Sequence, residues 1–258
     1  MTSASQVLVL GATGGCGAHA LLSLLERGVA VKAIVRSASR LPDRAKGHKL
    51  LTAIEMPEGH LALDVSAMAE HIRGCGAVIS CLGHTLSFKG IYGHPKRLCK
   101  DSIKLICDAA CTLQPSEPLK LIVVSTEGVD QPGGTDPPRA SFMERLVLWL
   151  LSTRLLPPHQ DNMATVKYLH EEVRGDHNLH VSFCAVRPSN LIDADEPSEY
   201  TCHASLQNGI FNSRTTTRAN VGCFMADLVT RAEVWTKWKE QMPHLLDVQP
   251  MVQPPTPP

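Results

Sequence analysis

No Cys-x-x-Cys pair occurs in the 258 residues of this chain, although it holds nine cysteines. Cys16, Cys75, Cys81, Cys99, Cys107, Cys111, Cys184, Cys202 and Cys223 are scattered through apolar segments. Cys107 and Cys111 fall on one face of a helix, yet no histidine follows at ligand spacing, so neither a zinc site nor a disulfide frame is read from them. They are expected to be small buried hydrophobes in a reducing compartment, and no metal is expected. An excess of one charge is missing too: 25 Lys and Arg balance 25 Asp and Glu. That balance argues against a nucleic-acid or a membrane partner. No apolar run approaches the ~20 residues of a membrane span, and the opening MTSASQ is polar and uncharged, unlike a secretory signal. A cytoplasmic protein is expected.

What is present is an alternation. Apolar runs at Gln6–Leu10, Val31–Val35, His60–Asp64, Ala77–Cys81, Leu119–Ser125 and Val181–Arg187 read as strands. Several are continuously apolar, as strands covered on both faces should be. Between them, helical periodicity marks Gly15–Arg27, Ser66–Ile72, Pro95–Leu113, Ala140–Leu155 and Asp161–Arg174, followed by Ala219–Thr230 with Thr217 as N-cap. Repeated strand–helix units predict an α/β chain: a single-domain Rossmann fold over residues 1–248, with a doubly wound, mostly parallel sheet and helices on both faces. A chain this long buries enough surface to fold without disulfides or metal. The Pro-rich end, 249–258, is expected to be disordered.

The stretch VLVLGATGGCGAHAL, residues 7–21, runs from a strand through a glycine-rich turn into a helix. Gly11 permits a tight turn, Gly14 lets backbone approach a pyrophosphate, and Gly17 lets helix and strand pack closely. The helix N-terminus then faces the anionic bridge. The alternative is a tight turn that holds no ligand. The second strand leads into AIVRSASRL, where an NAD-binding chain usually carries an acid for the ribose hydroxyls. Arg36 stands there instead, with Ser37, Ser39 and Arg40 close by. A cation and hydroxyls favour a 2′-phosphate, so NADPH is the expected cofactor. An ordinary solvated arginine is the alternative.

These residues, together with LDV at 63–65, SCLGHT at 80–85, IVVSTEGV at 122–129 and AVRPSNLID at 185–193, resemble the atypical short-chain dehydrogenase/reductases. The resemblance is strongest to the biliverdin-IXβ reductase (flavin reductase) branch, with nitrogen-metabolite-repressor-like proteins among its relatives, and it covers about residues 6–230. It implies that Thr13, Gly14, Gly15 and Cys16 line the pyrophosphate and that Arg36 and Arg40 hold the 2′-phosphate. Asp64 and Val65 would flank the adenine, and Leu82 and Gly83 would pass under the cofactor. Ser125 and Thr126 would stand beside the nicotinamide, with Pro188, Ser189 and Asn190 on its carboxamide side.

Typical members of that superfamily protonate substrate oxygen with a Tyr-x-x-x-Lys pair. The one such string here, Tyr92–Lys96, precedes the serine strand and contains Pro95, so it is read as coincidence. At the family's register the chain reads His159-Gln-Asp-Asn-Met163, without tyrosine or lysine. The catalytic candidates are therefore Ser125, Thr126, Asn162 and His159; the last has a pKa suited to proton donation but sits unremarkably at a helix start. Glu127 is a candidate base, or a helix cap, or an acid facing solvent. Asn190 and Asn162 replace histidines of the biliverdin-reductase branch, which weakens any transfer of substrate identity.

His84–His94 and Phe142–Leu156 are candidate substrate walls. The second, apolar around most of its circumference, is expected first as a core-packing helix. The leading expectation is an NADPH-dependent reductase passing hydride to a conjugated small-molecule acceptor: a flavin, tetrapyrrole, quinone or enone. Alternatives are an NADP(H)-binding redox sensor without turnover, or a non-redox tailoring enzyme on the same fold. The partner expected is an apolar or conjugated small molecule, and the sequence gives no oligomeric state.

Overall fold

The computed structural model describes residues 6–84, 92–133, 136–137, 141–150 and 156–248. The proline-rich end at 249–258 and most of the wall expected at His84–His94 lie outside the described residues. A first strand β1 (Gln6–Leu10) leads through the glycine turn into α1 (Gly15–Glu26) and β2 (Val31–Val35). Then follow β3 (Leu51–Glu55), α2 (Val65–Ile72), β4 (Cys75–Ser80), α3 (Leu98–Leu113) and β5 (Leu119–Val124). After α4 (Phe142–Leu150) and α5 (Pro157–Tyr168) come β6 (Val181–Pro188), β7 (Asn190–Ile192), β8 (Tyr200–His203) and β9 (Thr215–Thr217). The chain closes with α6 (Arg218–Thr230), α7 (Ala232–Trp238) and β10 (His244–Asp247).

Eight strands form one sheet in the order β3-β2-β1-β4-β5-β6-β10-β8. All neighbours are parallel except β8, which runs antiparallel on β10. The continuous apolar runs follow from covering on both faces. Val7 and Val9 point to one side, where Leu21 and Leu24 of α1 and Phe224 and Met225 of α6 meet them. Leu8 and Leu10 point to the other, against Met68 and Ile72 of α2 and Ile103 and Ile106 of α3. Each such side chain taken wholly out of water contributes about 1.5–3 kcal/mol. Thr217 caps α6 as expected, its hydroxyl accepting from the Asn220 amide at 3.1 Å.

Three expectations are corrected. The third strand is not His60–Asp64, where His60–Ala62 is only a 3-10 turn, but Leu51–Glu55 at the sheet edge. An edge strand with three of its five residues exposed gives a weak apolar signal. The helix predicted over Asp161–Arg174 starts earlier, because Pro157 and Pro158 occupy its first turn, where a missing N–H does no harm. It ends in a π turn at Leu169–Val173. Helix α4 is not packed in the core: it turns Glu144 inward and apolar side chains outward. Finally, β7 to β10 are too short and too mixed in composition to be read from pattern.

One buried ion pair ties the loop after β5 to the sheet. Arg187, at the end of β6, is wholly out of water, and its guanidinium grips Asp136 through both oxygens at 2.6 and 3.1 Å. Asp136 also accepts the amides of Gln131 and Leu206, while Arg187 Nε donates to the Met242 carbonyl. Burial pushes the Asp136 carboxyl up, but the hydrogen bonds from Arg187 and the two amides outweigh it and hold it below its ordinary value. A depressed carboxylate contributes stability above the unfolded-state value, about 3.9, and loses it as pH falls through the lower folded value. Asp136→Asn is therefore expected to destabilise by about 3–5 kcal/mol, the effect of stranding a buried charge. The double variant Asp136→Leu/Arg187→Met should lie closer to wild type. Urea midpoints at neutral and acid pH check both: the gap between wild type and Asp136→Asn should narrow at low pH, and a constant gap would sink the account.

Candidate functional site

The carboxyl ends of β1, β4, β5 and β6 lie side by side in the sheet, the arrangement on which α/β proteins place ligands. At β1 the chain turns at Gly11 with φ +79°. A Cβ there would stand 2.5 Å from the Cys81 carbonyl oxygen at the end of β4, so only glycine fits. A Cβ on Gly17 would collide with the Gly11 carbonyl, which is what brings α1 hard against the turn. Gly14 donates its amide to Gly11 O at 2.9 Å and forms the N-cap of α1 without a side-chain cap. The first turn of α1 carries no acid, leaving a helix N-terminus whose dipole favours an anion. Thr13 is half-buried, Gly14 and Gly15 are exposed, and Cys16 is half-buried with its thiol pushed up to about 11 by burial.

A residue the sequence reading missed reaches this turn. Arg218, the first residue of α6, lays its side chain across Gly15, with Nε 2.8 Å from the place a Cβ would take. Its guanidinium pairs with exposed Asp193 at 2.7 Å. More than 200 residues separate Arg218 from the turn, and no spacing rule connects them.

Arg36 and Arg40 follow β2 and are both exposed, with no ion pair among the described residues. Ser37 and Ser39 share a hydrogen bond of 3.0 Å between their hydroxyls. Glu55, from the end of β3, accepts the Ala38 amide at 2.8 Å and so fixes this loop. Asp64 is exposed and caps α2, accepting the Ala67 amide at 2.8 Å, and half-buried Val65 opens that helix. Leu82 is half-buried and Gly83 exposed, directly after β4.

At the end of β5, Ser125 is buried and its hydroxyl has no hydrogen-bond partner. Thr126, half-buried, accepts the Gly128 amide at 3.3 Å. His159 of α5 packs over the same Gly128, its Cε1 3.5 Å from the would-be Cβ. The loop thus brings Ser125, Thr126 and His159 into one neighbourhood. Asn162, one helical turn on, is half-buried.

Glu127 proves to be neither a cap nor a solvent-facing acid. It is buried and accepts from Ser189 Oγ at 2.6 Å, Asn208 Nδ2 at 2.8 Å and the Ser213 hydroxyl. Burial pushes its carboxyl up, but hydrogen bonds from His244, Ser189, Ser213 and Asn208 outweigh this and hold it below the ordinary range. A carboxylate so stabilised is a poor base. His244 Nδ1 accepts the Gln207 amide at 3.1 Å, which assigns the ring proton to Nε2, 2.9 Å from Ser189 Oγ. The hydroxyl of Ser189 therefore lies between His244 and Glu127. A nucleophilic triad needs the histidine between acid and serine, so this is a positioning network and not a hydrolytic one. Ser189 thus turns its side chain to Glu127 and its amide to Thr216 Oγ1 at 3.1 Å. Pro188 is buried at the end of β6, and Asn190 is exposed at the start of β7.

A second hidden carboxylate is Asp161, between the two α5 candidates. It accepts the amides of Cys99 and Lys100 at 2.8 and 3.0 Å, capping α3 from another helix, and meets His84 Nε2 at 2.9 Å. His84, Cys99 and Asp161 keep their donor atoms within 4.8 Å of one another. Both carboxylate oxygens already serve helix amides, and burial pushes the Cys99 thiol well up, so the cluster is a cap and not a built metal site.

Among the described residues, no helix is long and apolar enough to cross a membrane. The family model described as NAD(P)H-binding matches residues 11–232. No curated protein matches the chain. Among solved structures, the oxidoreductase ylbE from Lactococcus lactis superimposes with a TM-score of 0.65 at 15% identity, over 95% of this chain and 91% of that one. ChuY, an anaerobilin reductase from Escherichia coli O157:H7, gives 0.61 at 18% identity over 97% of this chain and all of the other, 100%. Gre2 from Candida albicans, solved with NADPH, gives 0.62 at 12% identity over 94% and 78%. Such identities speak for the fold, while the family match spans the glycine turn and the carboxyl ends of β4, β5 and β6. The chain belongs to the NAD(P)H-binding family, on an atypical short-chain dehydrogenase/reductase-like fold.

Proposed function

We propose that the protein is an NADPH-dependent reductase passing hydride to a conjugated small-molecule acceptor. The observation that carries this reading is the buried, unsatisfied hydroxyl of Ser125 at the end of β5, in line with a glycine turn only glycine can make. A buried hydroxyl without a partner is costly unless a ligand meets it, at roughly 1–3 kcal/mol. Gly11, Thr13, Gly14, Gly15, Cys16 and Gly17 would hold the pyrophosphate, with Arg218 adding a cation beside it. Arg36 and Arg40, with the Ser37 and Ser39 hydroxyls, would hold the 2′-phosphate. Asp64 and Val65 would border the adenine. Leu82, Gly83, Ser125 and Pro188 to Asn190 would surround the nicotinamide. NADPH, when bound, supplies the hydride.

The chain's own part is to orient and to give a proton. Ser125 and Thr126 are the nearest hydroxyls, with His159 packed on the same loop and Asn162 one turn further. Glu127, held ionised, fixes the loop that carries them and anchors Ser189. A cavity of about 380 Å³ lies between Lys96 and Arg97 on one side and Pro157, Gln160, Asp161 and Ala164 on the other, room for a small acceptor. The missing tyrosine and lysine favour a second reading, an NADP(H) sensor without turnover. A non-redox tailoring role, the third, draws no support from the free arginines after β2.

Two measurements separate these. Arg36→Ala should lower kcat/KM for NADPH by about 10- to 100-fold, the worth of one charge-assisted hydrogen bond, and leave NADH nearly unchanged. Equal losses with both cofactors would remove the 2′-phosphate assignment. Ser125→Ala/Thr126→Ala, assayed against flavins, biliverdin, quinones and enones, should slow turnover by about 100-fold with NADPH affinity little changed. Tight NADPH binding by wild type without turnover of any acceptor in that panel would favour the sensor.

A further inference from the structure

Helix α4 carries its polarity the wrong way round for a surface helix. Glu144 is buried and accepts the Ile210 amide at 2.9 Å, while Phe142, Met143 and Trp149 are 67, 55 and 62% exposed and Leu146 and Leu150 stand beside them at 36 and 38%. At 100° per residue these five fall within about 120° of the helix circumference, one continuous apolar stripe. Val147 is half-buried at one flank, and Leu148 is half-buried on the inward side beside Glu144.

We infer that this stripe is the contact between two copies of the chain, paired antiparallel about a two-fold axis through Leu146. The sequence is self-complementary about that residue. Phe142 then opposes Leu150 of the second copy, and Met143 opposes Trp149, so each aromatic meets a flexible aliphatic or thioether side chain, a favourable contact for sulfur on a ring. Arg145 opposes Val147, so the helix's exposed cation never meets its own copy. With Glu144 turned in, no acid lies on the contact face.

The area suffices. At the 150–250 Å² an aromatic side chain offers, the five side chains expose roughly 500 Å² per copy. Pairing two copies removes up to roughly 1,000 Å², the threshold for a specific interface. A bilayer is the weaker occupant: interfacial helices carry several lysines and arginines for lipid headgroups, whereas α4 shows Arg145 alone on a chain of zero net charge.

The full chain in sedimentation velocity over a concentration series should move towards twice its 28.0 kDa mass. Leu146→Arg should hold it at one copy, and Leu179→Arg, at an exposed apolar site far from the stripe in sequence, should leave the dimer intact. The register is tested by Phe142→Glu and Leu150→Lys, both surface changes. Each alone should give monomer; the two together should restore the dimer through paired charges. A monomer at every concentration overturns the proposal, as does a dimer indifferent to Leu146→Arg. Flotation of a monomer with phosphatidylserine vesicles, lost in Leu146→Arg, would overturn it in favour of a lipid surface. If Leu146→Arg unfolds by circular dichroism, the charge-pair series decides alone.

Discussion

Among the described residues, Arg187 is the largest side chain wholly removed from water, and the loops beyond β5 and β6 are arranged around its neutralisation. A guanidinium in the core is tolerated only with a counter-charge and with its remaining donors satisfied. Asp136 has to be brought in, which forces the loop after β5 to return to the end of β6. Leu206 must come too, since its amide shares the same carboxylate, and Met242 supplies the carbonyl for Nε. One charge therefore fixes where the β5 loop, the segment after β8 and the approach to β10 meet. Ser125, Thr126 and Glu127 sit on the loop so fixed.

The two halves of the site rest on different physics. The cofactor half is built from backbone: a turn permitted by Gly11, a close approach permitted by Gly17, and an uncapped helix start. Such features depend on a few adjacent residues. The other half is held by side-chain networks, Glu127 with Ser189, Ser213, Asn208 and His244, and Asp161 with His84 and the α3 amides. The partners of these two carboxylates lie from 61 to 117 positions away in sequence, Lys100 from Asp161 at the near end and His244 from Glu127 at the far one. Both carboxylates are buried and both are satisfied by donors from several elements, so they hold loops in place.

That division explains what could be read in advance. The glycine turn, the central strands and the Thr217 cap were legible because their signals are local: residue type, apolar continuity and cap chemistry. The edge strand β3 escaped because an exposed LTAIE looks no more like a strand than the LALD stretch that follows the turn at Gly59. Glu127 was noticed, but nothing in IVVSTEGV says that three polar partners from beyond residue 188 converge on it. Asp161 was passed over between His159 and Asn162 because its work, capping α3, is invisible without the fold. Arg218 was missed for the same reason. Helix α4 misled through composition, since an apolar helix is usually buried, and only its contacts reveal that the single acid was the residue turned inward.

The absent tyrosine–lysine pair also bears on what kind of acceptor suits the site. Hydride addition to an isolated carbonyl leaves charge on one oxygen, and an acid poised near neutrality is needed to meet it. A hydroxyl such as Ser125, with Thr126 engaged by the Gly128 amide, is a weak donor for that task. In a conjugated acceptor the incoming electron pair spreads over the π system, so less charge gathers at any one atom and a weak or solvent-derived proton suffices. Glu127 strengthens the argument, because its hydrogen bonds hold it below the ordinary range and it does not replace the missing acid. Under the proposed reading, a site with a well-formed cofactor turn and only modest proton donors would suit electron-poor, delocalised acceptors better than simple ketones or aldehydes.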